Sequence, residues 1–262
     1  MIDLWNPRTF SPELRQVLAD QSELISNYHI EAKRLMDEHL NSSPYQSLEP
    51  NRFGSNYISF QENTLTPILA GVRVRTWHYS RLLDHEVNEM QQQLVPSSLG
   101  FLKQRLDALV ARRLLTRQEA DIVFKSSPFQ AQGDIRSERF WIVTVPVHCS
   151  DPGVVPLLGS WGGESAYFWL KDASLAARLK NLGSPRILEI ETSLSDRMNA
   201  FAVSRTVLEA WAREQGVAVV PSGCDLSITG CISTAKVVEV HSTGEQNYEA
   251  IGKTYPAGVG GI

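Results

Sequence analysis

The five residues Trp77-His78-Tyr79-Ser80-Arg81 concentrate chemistry in one short stretch. They supply a base that changes charge near neutral pH, two hydroxyls, a guanidinium fork and two flat aromatic surfaces. Before them, Val72, Val74 and Thr76 alternate with Arg73, Arg75 and Trp77, the pattern of a strand with one apolar face. Alternation puts Trp77 and Tyr79 on one face and His78 and Ser80 on the other, where the latter two could bind one ligand together. The competing reading is a histidine satisfied by a backbone carbonyl at a strand end, with the aromatics in the core.

A second candidate is Ser160-Trp161-Gly162-Gly163-Glu164-Ser165-Ala166-Tyr167. Consecutive glycines allow backbone angles closed to other residues, and a helix start after them presents N–H groups suited to an anion such as a pyrophosphate. A tight turn with Glu164 at the helix start is the alternative. The acidic candidates near the end are Glu239, Glu245 and Glu249. Glu239 lies in Lys236-Val237-Val238-Glu239-Val240-His241, where strict alternation gives it the face of Val237 and His241. A carboxylate in so apolar a strand is paired, exposed or functional. Glu189 and Glu191 alternate with apolar neighbours as a solvent face would. Cys149 follows His148, but neighbours in extended chain point to opposite faces, so adjacency argues poorly for a Cys–His pair.

Ser11-Pro12-Glu13 reads as an N-cap with proline and an acid in the first turn, opening a helix through Leu14, Val17, Leu18, Leu24, Ile25 and Leu35. The segment from Asn41 to Thr66 reads as a long connection, which sets an N-terminal helical extension and linker over 1–66 and the main domain over 67–262. Helices are predicted from Asp84, over Leu99 to Leu115, and from Thr116, where Glu119 completes a capping box. A short helix through Leu175 and Leu179 and another from Val203 to Gln215 follow. Phe140 to Val145 reads as a strand buried on both faces. Arg186 to Glu191, Val217 to Val220 and Ala235 to His241 read as further strands. Irregular mixing of the two element types favours α+β over a doubly wound sheet.

The 262 residues are 42% hydrophobic and 21% charged, with a net charge of −4. That balance suits a globular domain and disfavours coating of nucleic acid through bulk charge. Arg73, Arg75, Arg81, Arg112 and Arg113 could still form a local basic track. Cys149, Cys224 and Cys231 contain no CxxC pair, so neither a disulfide framework nor a zinc site of known spacing is expected. The first residues have no signal-peptide pattern, and no stretch approaches a membrane span. A reducing, cytoplasmic setting without membrane contact is expected. No G-x-G-x-x-G, P-loop, H-E-x-x-H, G-x-S-x-G or EF-hand pattern occurs.

A strand ending in aromatic-His-x-Ser-Arg, a second buried strand, a Trp-Gly-Gly-Glu turn followed by Tyr, and a late strand bearing Glu occur in that order from about Val72 to Tyr255. This order resembles the ADP-ribosyltransferase superfamily, nearest its bacterial toxin and phage-defence members. The resemblance implies an α+β fold with a split mixed sheet and flanking helices, NAD as co-substrate, no metal, and a nucleic-acid or protein acceptor. It also admits an antitoxin or chaperone as partner. It implies that His78 bonds the adenosine ribose and that Ser80 supports the nicotinamide side. Tyr167 would stack on nicotinamide, with Tyr79 competing for that role, and Glu239 would be the catalytic carboxylate, with Glu245 as its alternative. Arg81 would neutralise the pyrophosphate, Trp161 would line the cofactor site, and Glu164 is an additional catalytic carboxylate. Two other readings stand beside this one. One is a non-enzymatic partner-binding subunit; the other is a nucleotide-using enzyme with His78 and His241 as acid and base.

Overall fold

The computed structural model describes residues 1–41, 49–194, 197–229, 235–253 and 255. In chain order the helices are α1 (Pro12–Asp20), α2 (Ser22–Leu40), α3 (Gly54–Phe60), α4 (Thr66–Leu69), α5 (Asp84–Gln92), α6 (Leu99–Ala111), α7 (Arg117–Ser126), α8 (Phe129–Arg136), α9 (Val155–Gly159), α10 (Glu164–Tyr167), α11 (Ala173–Lys180), α12 (Arg197–Glu214) and α13 (Gln246–Ala250). The strands are β1 (Arg73–Leu82), β2 (Arg139–Val143), β3 (Ser184–Ser193), β4 (Asp225–Thr229) and β5 (Lys236–Ser242). They divide between two units. One holds Met1–Arg75 with Ser193–Cys224, and the other holds Thr76–Thr192 with Asp225–Tyr255. α12 thus groups with the N-terminal helices rather than with the chain around it.

In the first unit the Ser11 hydroxyl accepts the Leu14 N–H and caps α1, as its sequence predicts. The helical run breaks at Gln21, and α2 starts anew. Residues 42–48 of the expected linker lie outside the described residues, and from Gly54 on it is helical: α3 continues through a π-turn, Gln61–Leu65, into α4. Pro67 accounts for the π-turn. A proline has no N–H and its ring crowds the preceding turn, so the widened turn absorbs the mismatch. There the Thr66 N–H reaches back to the Gln61 carbonyl, and the Thr66 hydroxyl donates to the same carbonyl at 2.7 Å. Tyr57, Phe60, Leu65 and Leu69 are buried by this arrangement. Val217 to Val220, expected as a strand, forms no strand.

The second unit is built on an open five-stranded sheet in the order β4-β2-β1-β3-β5. Its pairing is antiparallel where a mixed sheet was expected, although Arg81 and Trp161 form an isolated parallel bridge. β2 is one-sided rather than buried on both faces. Phe140 and Ile142 are buried, while Trp141 is 45% exposed. Beside the sheet, Leu102, Leu106, Leu109, Val123, Leu175 and Leu179 form a helical core around Trp161. The Thr116–Glu119 capping box opens α7 as its sequence predicts. No helix among the described residues is long and apolar enough to cross a membrane.

Candidate active site

β1 carries the first motif along its whole length, so alternation continues through Arg81. His78 turns to the face bearing Phe140. Its ring lies 4.7 Å from the Phe140 ring, and Nδ1 is 2.8 Å from the Trp141 carbonyl. A carbonyl can only accept, so Nδ1 carries the proton. Burial holds the imidazole below its ordinary pKa, against the Trp141 bond that pulls it up. His78 is therefore the backbone-satisfied histidine of the second reading. Ser80 beside it on the same face is 9% exposed.

Trp77, Tyr79 and Arg81 point to the opposite face. Tyr79 is buried, and its hydroxyl donates to the Val147 carbonyl at 2.8 Å and accepts the Val147 N–H at 2.7 Å. Burial pushes its pKa up. A phenol held at both ends clamps the chain and offers no face for stacking. Arg81 donates through Nε to the Leu182 carbonyl at 2.8 Å, and its guanidinium lies 3.4 Å from the Leu158 carbonyl. These bonds tie it to the fold rather than leaving it free for a pyrophosphate.

The glycine turn has the backbone its sequence requires: φ is +80° at Gly162 and +55° at Gly163. A Cβ at Gly162 would lie 2.6 Å from that of Ala166. Trp161, expected to line a cofactor site, is fully buried instead. Its indole N–H donates to both Glu86 carboxylate oxygens at 3.0 and 3.1 Å. Glu86 also accepts the Leu83 N–H and pairs with Arg105 at 2.8 Å, and the Arg105 guanidinium lies 4.6 Å from the Trp161 ring. Burial would raise the Glu86 pKa, but Arg105 and the three other donor contacts outweigh it and hold it low. Glu164 pairs with Arg136 at 2.8 Å. Tyr167 is half-buried, and burial, then Glu164, push its pKa up.

The acidic strand yields the candidate site. Glu239 lies directly across from Glu189, and His241 across from Ile187. The register then shifts, so that Ile190 faces Val237 and Glu191 faces Lys236. Val238 is thus an extra residue, a β-bulge. The bulge gathers Lys236, Glu239 and His241 on the face of Glu189 and Glu191, and removes Val237 from the face that strict alternation gave it. Neither β3 glutamate is on a solvent face. Each is 8% exposed; Glu189 accepts from His241 Nε2 at 3.1 Å, and Glu191 pairs with Lys236 at 3.1 Å. Glu239 remains accessible, its side chain 55% exposed and 3.9 Å from His241 Nδ1.

This is also the face of Tyr79: the Leu194 N–H bonds the Val72 carbonyl where β1 and β3 begin to pair, and that antiparallel register sets Trp77 across from Glu189 and Tyr79 across from Ile187. Glu239 and His78 therefore lie on opposite faces of the sheet and do not converge. Glu245, the alternative carboxylate, accepts the Ser242 N–H at 2.8 Å at the start of α13, which lowers its pKa. No protein-family model, curated protein or solved structure matches the chain. Its class rests on its own geometry: an α+β protein with an open antiparallel sheet and a Glu–His–Glu group on one face.

Proposed function

We propose that the chain is an NAD-dependent ADP-ribosyltransferase whose reacting carboxylate is Glu239. The observation that carries this reading is an accessible Glu239 set beside a buried Glu189–His241 pair on one sheet face. A ring that donates Nε2–H to Glu189 presents its Nδ1 lone pair toward Glu239. The motif order that resembles the superfamily adds support.

Breaking the C1′–N bond sends its electron pair to nicotinamide, which leaves neutral, and puts positive charge on the ribose. Glu239 stabilises that charge more in the transition state than in the ground state. The acceptor, a nucleophile on nucleic acid or protein, then bonds to C1′ and loses its proton to the accessible Glu239 carboxylate, which the buried His241 backs at 3.9 Å. The ribose and nicotinamide contacts expected of His78, Tyr79 and Trp161 have no part here, because those side chains are committed to the fold. The test is incubation with NAD and quantitation of free nicotinamide. Glu239→Gln is expected to lower release by about 100-fold or more, and wild-type protein that neither binds nor cleaves NAD overturns the proposal.

A partner-binding role, with an antitoxin or chaperone as the partner, is favoured by one separate feature. Phe168 and Trp169 are 53% and 39% exposed, next to the Arg136–Glu164 pair.

A further inference from the structure

The chain from His148 to Asp151 forms a turn, and this reverses the expectation drawn from the adjacency of His148 and Cys149. The Asp151 N–H closes a turn on the His148 carbonyl at 2.9 Å. The turn brings the two side chains together, with Cys149 Sγ 4.0 Å from His148 Nε2. Glu249, on α13, places Oε2 3.7 Å from the same sulfur. One ligand atom from each of the three residues lies within 4.8 Å of the other two.

We infer that His148 Nε2, Cys149 Sγ and Glu249 Oε2 form a three-ligand site for a divalent ion of the zinc class, with its fourth position open to water. Around a tetrahedral zinc, with bonds of about 2.3 Å to sulfur and about 2.0–2.1 Å to nitrogen and oxygen, donor atoms sit roughly 3.3–3.6 Å apart. The sulfur distances need to shrink by only a few tenths of an ångström. Thiolate, imidazole and carboxylate together suit zinc better than calcium or magnesium, which take oxygen donors. The thiol, whose pKa burial and then Glu249 push up, gives its proton to solvent when the ion binds.

Three features outside the ligand set hold these atoms in place. Tyr79 clamps both backbone groups of Val147, the residue before His148. Gly252, at φ +74°, lets the turn after α13 approach so closely that a Cβ there would lie 2.2 Å from the His148 nitrogen. His148 Nδ1 accepts the Ser150 N–H at 3.3 Å and lies 2.6 Å from the Ser150 hydroxyl; an ion on Nε2 moves the ring proton to Nδ1, which then donates to that hydroxyl, the kind of outer partner that orients a ligating imidazole. His148 and Cys149 are half-buried and Glu249 is exposed, so water can reach the open position. The site is separate from Glu189, Glu239 and His241, and does not depend on the NAD reading.

The test uses the purified full chain, zinc titrated against a competing chelator, and cobalt as a spectroscopic stand-in. Wild type is expected to take up one zinc at this site, and its cobalt form to show a near-ultraviolet thiolate charge-transfer band. Cys149→Ser should abolish the band and weaken zinc on the order of 100-fold, and Ser150→Ala should weaken it about 10-fold. Glu239→Gln, in the neighbouring group of donors, should leave zinc affinity unchanged. The proposal is overturned if Cys149→Ser and Glu249→Gln bind zinc as tightly as wild type, if Glu239→Gln rather than Cys149→Ser removes it, or if no zinc binds with Kd below about 10 μM.

Discussion

Replacing Glu86 by alanine removes the acceptor on which four contacts converge: one each with the Leu83 N–H and Arg105 and two from the Trp161 indole. Glu86 is 5% exposed and the Arg105 side chain 15%, so neither charge is compensated by water. The substitution leaves a desolvated guanidinium without its partner and an indole N–H without an acceptor. Breaking a buried pair in this way costs about 3–5 kcal/mol. In a protein of this size that corresponds to a fall in melting temperature of roughly 6–20 °C. Thermal and urea unfolding followed by circular dichroism give the value. The Glu86→Met, Arg105→Met double variant removes both charges together and should recover most of the loss. A single-variant cost below about 1 kcal/mol would show that the cluster is open to water, and would refute the structural role given to Trp161.

Tyr79→Phe leaves the Val147 N–H and carbonyl without the hydroxyl, for an expected loss of about 1–3 kcal/mol in unfolding experiments. Zinc affinity should fall with it, since the same clamp fixes the turn at His148. Gly162→Ala places a side chain at φ +80° and 2.6 Å from the Ala166 Cβ, with an expected cost of about 2–5 kcal/mol by urea denaturation. Stability is expected to fall on acidification below pH 6.5, the ordinary value for a histidine. Burial holds both His29 and His78 below that value in the folded chain, so the unfolded chain binds more protons there. Their contribution is complete above 6.5 and is lost as pH drops. Melting curves from pH 7.5 to pH 5 check the sign, and His78→Asn should flatten the slope.

What could be read from the sequence is what depends on local pattern. Alternation located β1 and the opposite faces of Tyr79 and His78, the Ser11 and Thr116 signals located two helix starts, and the double glycine located a turn of unusual backbone. What escaped depends on partners distant in the chain. Glu189 and Glu191 alternate like solvent-facing residues, yet they are buried beside His241 and Lys236 of β5, partners some fifty residues away that no local pattern reveals. The bulge at Val238 leaves no signature in a run of valines, yet it decides which face Glu239 occupies. The polar composition of Asn41 to Thr66 argued for a linker, because the helical stretch from Gly54 is held by the burial of Tyr57, Phe60 and Leu65 and not by local propensity. Glu86 offered a weak local signal, three residues after Leu83 at a helix start, but nothing near it pointed to Trp161.

The most direct test of the proposed function sets Glu239→Gln beside His78→Asn in a nicotinamide-release assay with NAD. Asparagine can keep the bond to the Trp141 carbonyl, so the second variant should stay folded. With the reacting face formed by Glu189, Glu239 and His241, release should fall about 100-fold or more in Glu239→Gln, while His78→Asn keeps kcat/KM within a few-fold of wild type. Full activity in Glu239→Gln together with loss of activity in a folded His78→Asn would contradict this and place the chemistry on the opposite face of the sheet.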